Sequence, residues 1–403
     1  ETVLMKAKSH WVLSALLTMS LLAGGQLYPA GASEPGGQPL DGSVTYLPVI
    51  QRDAGTVTAG VFIPLKYRST WDDDVAAFIA ATGKTHGVHL ISSGFGCAWV
   101  DTVSDIQIYL DYVHSLGAMP LITWMPMDCS NGGSGNVAAL SLQDILNGQW
   151  DAYMTAWANG IAALGYPVFV RWGHEMNIPS YSWAGQYAFG ADGETYFANV
   201  PGDACGNLPL TGCYGDPAKS DGPERYIAAY RKVHALVAPL APNIRWIWNP
   251  NARDWPQGTD WNGYNNYYPG DDVVDWVGPD GYNWGEQSTN GGYGGYVWAT
   301  FDLIFQPVLS DMASRHPAKP QIIPEFGSAE DPYDPNRKAA WIRDAYQTAR
   351  TNYPLLRVLC WVEERFPDVS HIAGADADFR ATSSTPTLQA YRQAVSAWSS
   401  SQP

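Results

Sequence analysis

Short apolar runs alternate with longer amphipathic ones along most of the chain. The apolar runs are TAGVFIPL (58–65), HGVHLISSGF (86–95), AMPLITWMP (118–126), PVFVRWGHE (167–175), IRWIWNPN (244–251), VDWVGPDGYNW (274–284), PQIIPEFGS (320–328) and RVLCWVEE (357–364). Runs this short and this apolar predict strands buried on both faces. Helical periodicity marks DDDVAAFIAATG, DIQIYLDYVHSLG, ERYIAAYRKVHALVAPL, RKAAWIRDAYQTAR and TPTLQAYRQAVSAW. Gly83 and Gly117 stand where left-handed caps end helices, and Thr385 followed by Pro386 predicts the start of the last one. Eight strands alternating with helices predict an α/β fold, the closed (β/α)8 TIM barrel. An open doubly wound sheet would carry a Gly-rich phosphate turn after its first strand, and IPLKYRSTW has none.

The N-terminal stretch does not follow this pattern. A basic start, an apolar run and a small-residue site predict a signal peptide over residues 1–32, cut after Ala32. Residues 33–50 then read as a flexible lead-in, and 51–403 as one domain with extended βα loops. The expected product is secreted, extracellular or periplasmic, a monomer with no stable membrane anchor once the signal is removed. In that setting Cys97 and Cys129, and Cys205 and Cys213, form two candidate bridges, with free thiols as the alternative. Cys360, inside LRVLCWV, reads as a small buried apolar residue. A net charge of −16 leaves no basic stripe for nucleic acid and disfavours acidic polymers. A neutral substrate fits better.

Each apolar run closes on polar or aromatic residues, at the end where such barrels carry their chemistry. Glu175 follows the fourth run and Glu325 the seventh, so a closed barrel sets them across one mouth. Two carboxyls about 5–5.5 Å apart suit double displacement at an acetal carbon, and about 6.5–9.5 Å suits an inverting water. Competing chemistries lack parts. HEMN has Ile178 where a zinc-binding HExxH needs its second histidine. DPYDPN lacks the closing glutamate of a calcium loop and reads as a turn with a helix cap. NGGYGGY has no following Lys-Ser/Thr, and no GxSxG elbow occurs. No metal and no cofactor is expected.

RWGHEMN, YSWAG, YYPGDDVVDWVGPDGYNWG and PEFGS, in this order between about Gly60 and Trp361, resemble glycoside hydrolase family 26. The resemblance implies a retaining hydrolase with Glu175 as acid/base and Glu325 as nucleophile. It implies that His174 shapes the site near the reacting sugar, that Tyr282 hydrogen-bonds the nucleophile, and that Arg171 holds a carboxylate. Trp361 would form the floor under the sugar. Trp124, Trp183 and Trp284 stay open between sugar platforms and core packing, because most indoles in a barrel this size pack between strands and helices. Two departures stand out. IPSYSW replaces the family's Gly and Trp pair, offsetting Trp183, and LITWMPMDC lacks the histidine that mannan-cleaving members carry there, favouring a mixed-linkage glucan. The implied substrate is a neutral β-linked polysaccharide, cleaved as an endo-β-1,3-1,4-glucanase or an endo-β-1,4-mannanase does. The alternative is a non-catalytic carbohydrate-binding barrel, which would keep the tryptophans but tolerate loss of a carboxylate.

Overall fold

The computed structural model describes residues 57–64, 70–95, 102–127, 142–178, 181, 183–185, 222–255, 257, 262–286, 297–366 and 376–403. The signal segment, Cys97, Cys129, Cys205, Cys213, NGGYGGY up to Tyr296 and nearly all of the long 186–222 connection lie outside the described residues.

Nine parallel strands form one sheet: β1 Thr58–Phe62, β2 Val88–Gly94, β3 Met119–Met125, β4 Val168–Trp172, β5 Ile244–Trp248, β6 Trp276–Val277, β7 Gly281–Asn283, β8 Gln321–Ser328 and β9 Leu356–Val362. β1 pairs with both β2 and β9, which closes the cylinder. β6 and β7 are successive halves of one stave, since Val277 pairs with Gln321 and Gly281 with Phe326 on the same strand β8. The barrel therefore has eight staves, with β8 as the seventh and β9 as the eighth. The predicted single run 274–284 is interrupted at residues 278–280. At Gly278 a Cβ would lie 1.5 Å from the Ile322 carbonyl oxygen, and the following Pro279 has no N–H for a ladder.

Helices α1 Trp71–Thr82, α2 Val103–Ser115, α3 Leu142–Leu146, α4 Asp151–Leu164, α5 Gly222–Val237, α6 Phe301–Arg315, α7 Arg337–Asn352 and α8 Thr385–Ser396 return the chain between staves. α1 ends at Gly83 in the left-handed region, φ 68°. The cap of α8 is Ser384, one residue before the expected Thr385. Ser384 is extended and its hydroxyl accepts the Thr387 amide at 3.3 Å, while Thr385 is already helical.

Two apolar layers hold the molecule together. Val88, Leu90, Met119, Leu121, Phe169, Ile247, Ile322, Val358 and Cys360 fill the barrel interior. A larger layer lies between staves and helices and carries most of the aromatics. A short antiparallel pair, β10 Arg365–Phe366 with β11 Ala377–Asp378, adds a satellite cluster in which Phe366 and Phe379 pack with Tyr282 and Val362. DPYDPN is a turn: Asp331 Oδ1 accepts the Tyr333 amide at 2.8 Å, and Asp331 Oδ2 pairs with Arg337 at 2.8 Å.

Candidate active site

Side chains two residues apart on a strand share a face, so Arg171 points inward one layer above Phe169. It is 1% exposed, and every guanidinium contact is with the barrel. Nε donates to Thr123 Oγ1 at 2.6 Å, and Nη1 donates to Asn249 Oδ1 at 2.7 Å and Asp280 Oδ2 at 2.5 Å. Nη2 donates to Glu325 Oε1. Burial opposes the positive charge, but Asp280 and Glu325 outweigh it and keep the guanidinium protonated.

Glu325 reaches this point through a bulge. Between the pairs Ile323–Leu359 and Phe326–Trp361, β8 spends one residue more than β9, and Pro324 sits inside that step. The Glu325 amide donates to Asp280 Oδ1 at 2.8 Å, and the Tyr282 hydroxyl donates to Glu325 Oε2. Both carboxylate oxygens thus carry a donor.

Glu175 lies just past β4. Gly173 and Glu175 both adopt left-handed backbone, φ 57° and 52°, and Glu175 is the one non-glycine with positive φ among the described residues. Its amide donates to Asn249 O at 2.8 Å, and its Oε1 accepts Asn251 Nδ2 at 2.7 Å. Burial, followed by the charge of Glu325, pushes its carboxyl up to about 7, against the opposing pull of Asn251, Arg171 and the Tyr181 hydroxyl. Burial and then Arg171 hold His174 well below the ordinary imidazole range, so it is neutral. His174 Nε2 lies 3.2 Å from the Tyr181 hydroxyl.

The structure therefore brings Arg171, His174, Glu175, Tyr282 and Glu325 together. Trp284 joins them, partly exposed, with its ring 5.6 Å from that of Tyr282. Three tryptophans fall elsewhere. Trp361 is fully buried outside the barrel against Phe326, Trp341 and Tyr391, because its β9 neighbour Cys360 takes the inward face. It is not a floor. Trp124 likewise points outward, stacked on Trp157 at 3.8 Å, so it offers no indole to the mouth and no longer argues for a glucan. Trp183 is a buried prop: its Nε1 donates to His174 O at 2.7 Å and its ring stacks on Tyr181 at 4.5 Å.

Asn249, Asn251, Asp280 and Tyr181 were not singled out in the sequence. Strand-end position was the available signal for the first three, since NPN and GPD close apolar runs as HE and EF do. Asn177, inside HEMN, faces the loop after β5, donating to Asn251 O and Asp254 Oδ1 at 2.9 Å each.

No protein-family model matches the chain. Over 303 residues, 75% of its length, it is 31% identical to Endoglucanase H of Acetivibrio thermocellus, of which it spans 27%. Among solved structures, the catalytic domain of a Bacillus sp. JAMB-750 GH26 endo-β-1,4-mannanase superposes with a TM-score of 0.53 at 15% identity, covering 85% of this chain and 86% of that one. A modular endo-β-1,4-mannanase of Cellulomonas fimi gives 0.50 at 15% identity, over 85% and 71%. The fold is similar to that of these GH26 barrels. In this barrel the fourth and seventh staves supply the two glutamates, and the chain spans about a quarter of the curated relative. Among the described residues no group of acidic, histidine or cysteine side chains is arranged to hold a metal, and no helix is long and apolar enough to cross a membrane.

Proposed function

We propose that the chain is a secreted, retaining glycoside hydrolase that cleaves a neutral β-linked polysaccharide internally, as an endo-β-1,3-1,4-glucanase or an endo-β-1,4-mannanase. One observation carries the reading: the charge of Glu325 reaches the Glu175 carboxyl across the mouth, while the two side chains have different partners. Glu325 is met by Arg171 and Tyr282, whose hydrogen bonds fix its two oxygens in place for attack. Glu175 is buried, with its carboxyl pushed up to about 7, as suits a proton donor near neutral pH.

In the first step a Glu325 oxygen bonds to the anomeric carbon while the glycosidic C–O bond breaks, and the Glu175 proton passes to the leaving oxygen. In the second, Glu175 takes a proton from water, whose oxygen displaces Glu325 from the same carbon. Two inversions give net retention. Neutral His174 has Nδ1 without a partner among the described residues, which supports a bond to a sugar hydroxyl. Of the four tryptophans named in the sequence, Trp284 is the one left partly open for a sugar face. The name of the relative Endoglucanase H favours a glucan over a mannan.

Incubation with lichenan, laminarin, mannan and β-1,3-xylan, followed by sizing of the products, tests substrate and endo action. Proton NMR of the first products should show the β anomer. Glu175→Gln and Glu325→Gln should each lower turnover by about 10²–10⁴-fold with the fold intact. Near-native turnover in either variant removes the assignment. Binding without cleavage by the wild type would instead make this a carbohydrate-binding barrel.

A further inference from the structure

Lys338, in the first turn of α7, is fully buried and takes no part in the chemistry above. Its Nζ donates to Asp378 O at 2.8 Å, Arg380 O at 2.8 Å and Ser383 Oγ at 3.2 Å. Three acceptors use all three N–H bonds of an ammonium group. All three belong to the segment 378–383, which runs from β11 toward α8. Two carboxylates grip the same region. Glu363, just past β9, accepts the Ala381 amide at 2.6 Å, the Thr382 amide at 3.3 Å and the Thr382 hydroxyl. Glu330 accepts the Ser383 hydroxyl and Thr387 Oγ1 at 3.0 Å, and lies 3.7 Å from Lys338 Nζ. Arg380 pairs with Asp378 at 2.6 Å.

The apolar member of this segment, Phe379, is fully buried against the site. Its ring lies 5.2 Å from that of Tyr282 and 4.9 Å from that of Trp284. At Gly327, a Cβ would come within 2.9 Å of it, so the contact leaves no slack. Tyr282 in turn donates to Glu325.

We propose that Lys338 is a positioning residue for the nucleophile. By pinning 378–383 it seats Phe379 behind Tyr282 and Trp284, and so fixes the phenol that holds Glu325. Burying an ammonium is costly unless every donor is satisfied, and a well-packed apolar residue generally stabilises such a place as well or better. Placement of the loop gives the charge a purpose that packing alone does not. The inference rests on Glu325 acting as the nucleophile.

The test uses the full chain on a polysaccharide that the wild type cleaves. Lys338→Met and Phe379→Ala should each lower kcat about tenfold with KM within about twofold, and the double variant should cost no more than the worse single, because both act through one phenol. Lys338→Met should also speed hydrogen exchange at the Ala381 and Thr382 amides, and Lys338→Arg should recover part of kcat. Wild-type kcat in Lys338→Met, or losses that multiply in the double variant, would overturn the inference. If Lys338→Met does not fold, Lys338→Arg in the Phe379→Ala background decides: no added loss supports the link, a multiplied loss breaks it. A wild type inactive on every neutral β-glycan sinks the hydrolase reading as well, whereas an active wild type with an unimpaired lysine variant sinks this inference alone.

Discussion

Glu175 holds its place at a cost visible in both backbone and proton. A left-handed φ on a residue with a Cβ costs of order 1–3 kcal/mol, here sustained by the Asn249 carbonyl and the Asn251 amide. The carboxyl adds a second cost. Its folded value of about 7 lies above the ordinary 4.5, so between those values the folded chain binds more protons than the unfolded one. Stability from this group is present below 4.5 and is lost as pH rises through 7. Glu175→Gln should therefore be more stable than wild type at pH 8 by on the order of 3 kcal/mol, and so melt higher, and the gap should close toward pH 4. Calorimetric scans of both proteins across that range check the sign; a variant that melts lower at pH 8 contradicts it. Tyr181 offers the finer adjustment. Its hydroxyl favours the Glu175 carboxylate, so Tyr181→Phe should raise the carboxyl further and move the alkaline limb of kcat/KM to higher pH. A limb that stays still or moves down would show that the hydroxyl does not act on Glu175.

At the scale of elements, the alternation of strands and helices was legible because a stave covered on both faces must be apolar throughout, and eight such runs stood out. The same property hid the direction of each side chain. With both faces buried, β3 and β9 show no alternation of polarity, so nothing in LITWMP or VLCWV says which neighbour turns inward. Leu121 and Cys360 take the interior, and Trp124 and Trp361 go to the helices. Legibility returned only where polar groups interrupt a run. Glu175 and Glu325 were found that way, whereas Arg171 and Tyr282 were named only through the resemblance to family 26. Asp280 has the same credentials but sits in a gap between β6 and β7 that the run 274–284 did not reveal. The bulge at Pro324 was also invisible as geometry, though proline inside a strand is its usual sign. Cap chemistry was legible to within one residue, at Ser384 rather than Thr385.

For the whole molecule, the two ends of the barrel divide the work, and that division can be tested. The C-terminal ends of the staves gather the charged groups, while the opposite end is closed by the chain's last residues. The Ser399 amide donates to Val57 O at 2.8 Å, and Ser399 O accepts the Ala59 amide at 3.2 Å. Thr58 Oγ1 donates to Ser401 O at 3.3 Å, and Gln402 Nε2 to Ala118 O at 2.9 Å. This tail ties β1 to the start of β3 and packs so close to Gly87 that a Cβ there would lie 2.4 Å from Ser401 O. Each such bond contributes about 0.5–1.5 kcal/mol net, so four of them are worth a few kcal/mol. Removing residues 399–403 should lower Tm by roughly 5 °C or more. None of those bonds touches Arg171, Glu175, Tyr282 or Glu325, so kcat, KM and the pH profile at 25 °C should match those of the full chain. If the truncated protein kept its Tm, the tail would not be a fastening. If it lost kcat while still folded, the two ends would be coupled, and the seat of Glu325 would depend on the barrel's far rim as well as on the loops around the mouth.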